Sequence, residues 1–138
     1  MEDCIFCQII AHEAPAAFVY EDDAVVAFMD IYPATRGHCL IVPRQHVRNL
    51  YDATPDLAAA VMAAAVHLAP ALRDVTHADG MNLWQSSEQV AGQVVFHFHM
   101  HLLPRYAGDG LHVPGNRRRA APAELNGLAT DVRQRLIA

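Results

Sequence analysis

The chain has 138 residues, 53% of them apolar and 18% charged, with a net charge of −5 at neutral pH. That length suits one compact domain, the composition excludes a disordered chain, and the acidic balance argues against wholesale nucleic-acid binding. No uninterrupted apolar run approaches the ~20 residues of a membrane span, the first residues lack the segments of a secretory signal, and three cysteines then point to a reducing, cytoplasmic setting.

Along the chain, residues 4–14 (CIFCQIIAHEA) read as a short helix carrying Ile5, Phe6, Ile9 and Ile10, stopped by Pro15. FVYEDDAVVAFMD, residues 18–30, reads as two strands turning at Asp22-Asp23. After a loop, HCLIVP (38–43) is a continuous apolar strand, which predicts burial on both faces. Thr54-Pro55-Asp56 is a helix start: a capping hydroxyl, a proline preset for the first turn, then an acid facing the positive end of the dipole. The helix runs on through LAAAVMAAAVHLA, with Pro70 expected to kink or break it. Residues 81–86 and 94–103 read as antiparallel strands around SEQVAGQ. A last helix from Pro122 places Leu125, Leu128, Val132 and Leu136 on one face. With no repeat and no linker, the expectation is one α+β domain.

The stretch FHFHMHLL carries the chemistry. On a strand, His97, His99 and His101 share one face while Phe98, Met100 and Leu102 line the other. At ~3.3 Å rise per residue the outer pair would stand ~13 Å apart, too far for all three to ligate one metal. The other use of imidazole is nucleophilic attack. It needs one ring nitrogen free, the other N–H held by an acceptor, and donors for the phosphoryl oxygens. Upstream, Gly92 permits close backbone approach to a ligand and the Gln93 amide can donate. Cys4 and Cys7, two residues apart, suggest zinc or redox chemistry. The redox use is disfavoured because the pair opens the chain instead of following a strand. A closed zinc site would need two more ligands; the bland reading is two buried thiols.

AGQVVFHFHMHLLPR resembles the signature of the histidine-triad (HIT) nucleotide-binding proteins, and the similarity extends to CIFCQII, FMDIYP and RGHCLIVPRQH, over most of residues 4–106. The resemblance implies a HIT-like fold: an antiparallel five-stranded sheet with a long helix and short terminal helices, the sheet extended across a homodimer. The HIT domain would span 1–138, with its core at about 4–106 and a tail with a helix at about 107–138. It implies a hydrolase of nucleoside phosphoramidates or related nucleotidyl substrates, working through a nucleotidyl-histidine. His99 would be the nucleophile, with its N–H held by the His97 carbonyl; His101 would contact phosphate and leaving group, and Gln93 would be the phosphate donor. Asp30 would accept from the ribose, and Ile5, Phe6, Ile9 and Ile31 would enclose a purine base. Gly92, Val94 and Ser86 would border the phosphate; many members have a hydroxyl residue in place of Val94 and Asn in place of Ser86.

Some bacterial relatives, and the galactose-1-phosphate uridylyltransferases, bind zinc through an equivalent set, which here would be Cys4, Cys7, His46 and His97. The resemblance also admits a dinucleoside polyphosphate hydrolase or phosphorylase, on Pro104-Arg105 and Gly108-Asp109, and a non-catalytic nucleotide-binding interaction module. His38 and Cys39 read as structural; His12, His67, His77 and His112 as surface residues; Arg105 as a phosphate contact or a solvated strand end. Arg117, Arg118 and Arg119 read as a solvated loop.

Overall fold

The structure, a computed structural model, describes residues 3–111 and 117–137; His112 lies outside them. Helix α1 (Ile5–Ile10) is capped by the Cys4 sulfur, which accepts from the Cys7 N–H at 3.4 Å. It ends at Ala11, well before Pro15, because His12 turns left-handed at φ 60°. Strands β1 (Phe18–Glu21) and β2 (Val25–Met29) form the expected hairpin. Asp22 closes it by accepting from the Ala24 and Val25 N–H groups, both at 2.8 Å. Strand β3 (Cys39–Pro43) is buried at every position. Helix α2 (Pro55–Thr76) starts where Thr54 accepts from the Leu57 N–H.

Two strands complete the sheet, β4 (Gly80–Trp84) and β5 (Met100–Arg105), in the order β1-β2-β3-β5-β4, every neighbour antiparallel. Helix α3 (Pro122–Ile137) buries Leu125, Leu128, Ala129 and Val132. The five-stranded antiparallel sheet with a long helix is therefore the architecture that the resemblance implied. The two faces of the sheet are covered differently, following the alternation of side chains along each strand. Val25, Ala27, Met29, Cys39, Ile41, Phe98 and Leu102 pack with α2 and α3. Val26, Phe28, Leu40 and Val42 face the other way and are covered by Phe6 and Ile9 of α1.

Three expectations need correction. Pro70 does not break α2, which is continuous through it. Both Pro70 and Val66, whose carbonyl it leaves without an N–H partner, are exposed, so water can serve that carbonyl. The strand expected at 81–86 begins at Gly80 and ends at Trp84. The strand expected over 94–103 begins only at Met100, its ladder with β3 running from Cys39↔Leu102 to Ile41↔Met100. Pro43 explains the early end: it has no N–H to give, and its carbonyl is taken by the His97 ring at 2.8 Å. His97 and His99 thus precede the paired strand, yet Phe98 still points into the α2 side of the core.

Helix α2 is also long and apolar enough, by length and composition, to cross a bilayer. Its Leu57, Val61, Ala64, Leu68 and Leu72 are spent in the core against the sheet.

Candidate functional site

The α1 side of the sheet carries all three triad histidines, each with a different task for its ring nitrogens. His97 is wholly buried, and its Nε2–H donates to the Pro43 carbonyl, which leaves Nδ1 as a bare lone pair. Burial pushes its pKa down to about 4, so the ring is neutral. That lone pair faces Cys4 Sγ at 3.5 Å, Cys7 Sγ at 3.6 Å and His46 Nδ1 at 3.1 Å, while His46 Nδ1 stands 3.4 Å from Cys7 Sγ. Donors bound tetrahedrally to one zinc, at ~2.0–2.1 Å for nitrogen and ~2.3 Å for sulfur, lie about 3.3 Å apart for N–N and about 3.5 Å for N–S. The four side chains therefore already form a zinc-sized, two-sulfur, two-nitrogen polyhedron, and the donor set fits that ion.

The His99 Nδ1–H donates to the His97 carbonyl at 2.7 Å, which leaves Nε2 unprotonated. The ring is buried, edge-on to Phe6 at 5.0 Å between centroids, and burial lowers its pKa. One residue, His97, thus ties the cysteine–histidine cluster to the free imidazole nitrogen: its side chain faces the cysteines and its carbonyl orients the His99 ring.

His101 is organised by His38, which the sequence presented only as a structural residue. The Ala34 N–H donates to His38 Nδ1 at 3.0 Å, so His38 carries its proton on Nε2 and donates it to His101 Nδ1 at 2.8 Å. His101 in turn must hold its own proton on Nε2, as a donor free for another partner. Burial pushes His38 down to about 3 and His101 to about 2, keeping the relay neutral. Gly37 makes the approach possible: its φ is +91°, and a Cβ there would stand 2.6 Å from the Thr76 methyl. Trp84, opposite His101 in the β4–β5 register, backs its ring at 6.1 Å.

Asp30, Ile31, His99 and His101 share one cavity of about 480 Å³ with Ile5, Phe6, Ile9, Gly92 and Val94. Its wall combines apolar α1 side chains, with Phe28 and Leu40, and the two imidazoles, Phe6 standing against the His99 ring. Asp30 accepts from the Tyr32 N–H at 2.8 Å, and its second oxygen is 3.5 Å from His38 Nε2. Burial raises its pKa, opposed by that N–H and by the nearby Arg117. Val94 is 79% exposed at the cavity edge, so it faces the cleft and not the core.

Three residues do not stand where the expected roles need them. Gln93 is corrected as a phosphate donor: its Nε2 donates to the Arg48 and Val95 carbonyls, and its oxygen accepts from Glu88 N and Asn49 Nδ2. All its capacity is spent bracing the loop behind the cleft. Ser86 does not line the cavity; its hydroxyl lies behind Gly92, 3.8 Å from where a Cβ would be. Arg105 donates twice to Asp109 and once to Asn82, so Pro104-Arg105 and Gly108-Asp109 brace a strand end and leave no phosphate contact. Conversely, Arg117 and Arg119, read as solvated, line the cavity. No local pattern marks them, since a hydrogen bond from the Ala120 N–H of the tail to the Ile31 carbonyl, 89 positions away, holds them there.

The model of the HIT domain matches residues 11–108. The chain belongs to the HIT family. Protein hit of Bacillus subtilis is 41% identical to this HIT protein, over 98% of the chain and 95% of the relative. The adenylylsulfatase HINT3 of Arabidopsis thaliana is 37% identical over 85% of the chain, which spans 59% of that longer protein. Among solved structures, a zinc-bound histidine triad family protein from Mycobacterium smegmatis superposes with a TM-score of 0.88 at 36% identity, covering 99% of this chain and 94% of that one.

Proposed function

We propose that this HIT protein hydrolyses nucleoside phosphoramidates, or related nucleotidyl amides and esters, through a covalent nucleotidyl-His99 intermediate. The observation that carries the reading is the fixed tautomer of His99: its Nδ1–H is held by the His97 carbonyl, so its Nε2 lone pair is the nucleophile in a cavity also walled by apolar α1 side chains. A purine base would enter between Ile5, Phe6, Ile9 and Ile31, and Asp30 would accept from a ribose hydroxyl. His99 Nε2 would attack the α-phosphorus. As the P–N bond to His99 forms, the bond to the leaving group breaks. The leaving amine or alcohol takes up a proton from solvent, while the neutral His101 ring keeps its own and donates a hydrogen bond from Nε2 to the departing atom. Water then attacks the same phosphorus, the P–N(His99) bond breaks, the proton lost by the water returns to solvent and balances the one taken up by the leaving group, and a nucleoside monophosphate departs.

The Cys4, Cys7, His46 and His97 set would hold one zinc with a structural role, fixing α1 over the cavity and His97 under the nucleophile. We also infer a homodimer with the sheet continued through β4. This edge strand leaves Leu83 39% exposed, and α2 exposes an apolar stripe of Ala59, Met62, Ala63 and Val66 beyond its core face.

The test is turnover of a panel of adenylyl and guanylyl amides, esters and anhydrides, with the reaction quenched for mass spectrometry. The reading predicts nucleoside monophosphate release and a label on His99. Binding of nucleotide with no turnover of any substrate would instead favour a non-catalytic module.

A further inference from the structure

Among the described residues, two arginines at the cavity leave most of their hydrogen-bonding capacity unspent. Arg117 is half-buried, and its guanidinium lies 3.8 Å from Asp30 Oδ2, outside hydrogen-bond range. Its nearest acceptor among the described residues is His38 Nδ1 at 3.4 Å, a lone pair already used by the Ala34 N–H. Arg119 lines the same cavity and, among the described residues, has neither an ion pair nor a hydrogen bond. The segment is docked, since the Ala120 N–H donates to the Ile31 carbonyl at 2.9 Å. In a chain of net charge −5, two docked guanidiniums with free donors describe a receptor for an anion.

Their position says where on a nucleotide that anion sits. Arg119 and Ile31 also line an adjoining groove of about 580 Å³, with Ala16 and Leu125. That groove shares Ile31 and Ala16 with the cavity, on the side where the base is proposed to enter, and is lined by none of His99, His101, Gly92 and Val94. Arg117 is beside Asp30. A plain ribose needs only the carboxylate, and a cation next to it competes with the hydroxyl for the same oxygens. A second anion on the sugar would draw the guanidinium off Asp30 and leave the carboxylate to the remaining hydroxyl, the division of labour by which an arginine admits a ribose phosphate.

We propose that Arg117 and Arg119 hold a phosphate on the ribose 2′ or 3′ oxygen, so that the preferred substrates are 5′-nucleotidyl compounds already phosphorylated on the sugar. This deepens the proposed function and rests on its assignment of Asp30 to the ribose. The probes are AMP, ADP, adenosine 2′,5′-bisphosphate and adenosine 3′,5′-bisphosphate, titrated calorimetrically into the full chain. ADP adds the same group on the 5′ side, so it separates position from charge.

The expected result is that one bisphosphate binds about ten-fold or more tighter than AMP and clearly tighter than ADP. The ratio of bisphosphate to AMP affinity should collapse towards one in Arg117→Gln and in Arg119→Gln, and recover in part in Arg117→Lys. Melting temperatures establish that the variants fold. Bisphosphates no tighter than AMP, ADP gaining as much as they do, or a ratio unchanged in both Gln variants would each overturn the proposal while leaving the hydrolase reading standing. Failure of AMP itself to bind would overturn both.

Discussion

Removing zinc should loosen the helix that covers the cleft, and the size of the effect follows from the geometry. Cys4 and Cys7 belong to α1, His46 follows β3, and His97 precedes β5, so one ion would join three segments 39 to 93 residues apart in sequence. Without it α1 is held chiefly by Phe6 and Ile9 against Val26, Phe28, Leu40 and Val42. A ligand that binds only the folded chain adds about 2.7 kcal/mol at a hundred times its Kd and about 4.1 kcal/mol at a thousand times. For a chain of this length each kcal/mol corresponds to roughly 3–5 °C in Tm, so chelation should lower Tm by about 10–15 °C, scaling the two figures together. Cys7→Ser should abolish stoichiometric binding, measured as zinc per chain by atomic emission, and should melt like chelated wild type. Its KM should rise more than its kcat falls, because Phe6 and Ile9 wall the base slot. A chelated wild type that melts within 2 °C of the untreated protein, or a Cys7→Ser protein that still carries one zinc per chain, would refute the reasoning (the first being well below ~1 kcal/mol).

Three other outcomes are expected. His99→Ala should lower turnover by on the order of 10³-fold or more and abolish the covalent adduct in the quenched reaction; an adduct on His97 or His101 would move the nucleophile. Val94→Thr should keep its Tm, since the side chain is exposed, and gain roughly two- to twelve-fold in kcat/KM if the new hydroxyl donates only in the transition state. A destabilised variant with unchanged kinetics would contradict that placement. Finally, His38 and His101 are neutral in the fold, with pKa values near 3 and 2 against an ordinary ~6.5, so below pH 6.5 the unfolded chain binds more protons. Their contribution to stability is complete above ~6.5 and lost as pH falls towards 3, at up to ~1.4 kcal/mol per pH unit for each residue. In chelator, His101→Asn should show a shallower acid loss of Tm than wild type, and parallel curves would show that the relay is not buried neutral.

What could be read from the residues is what local rules govern. Thr54-Pro55 starts α2 and Asp22 closes the hairpin because both act on backbone groups within three positions. Strand β3 is buried on both faces as its unbroken apolar run implies. The cavity gathers Ile5, Phe6, Ile9, Asp30, Ile31, Gly92, Val94, His99 and His101, residues named from the HIT signature. The misreadings at the site concern groups whose partner is remote. Gln93 is an amide beside a glycine, a donor by local appearance, but Arg48 and Asn49 consume it from more than forty positions away. His38 becomes part of the site only through His101, 63 residues on. Arg117 reaches Asp30 only because the tail folds back over Ile31.

The early end of the β5 ladder clarifies why three histidines alternate at all. Were β4 to continue past Trp84, the partner of His101, it would run beside residues 97–99 and claim the His97 carbonyl, and the His99 ring would have no acceptor to fix its tautomer. Pro43 supplies no N–H, and its own carbonyl is occupied by the His97 ring. The His97 carbonyl, on the side where β4 has ended, takes the His99 Nδ1–H at 2.7 Å. Met100, two residues after Phe98, then re-enters the ladder opposite Ile41, which places His101 opposite Leu40 of β3 and within reach of His38. Period-two spacing keeps all three rings on the α1 face, but it is the unpaired turn of backbone before β5 that lets each ring find a different partner: a carbonyl and the cysteines for His97, a carbonyl alone for His99, an imidazole for His101. Sequence alternation puts the three rings on one face, and the backbone before β5, left unpaired on both edges, gives the middle ring an acceptor that leaves its Nε2 free.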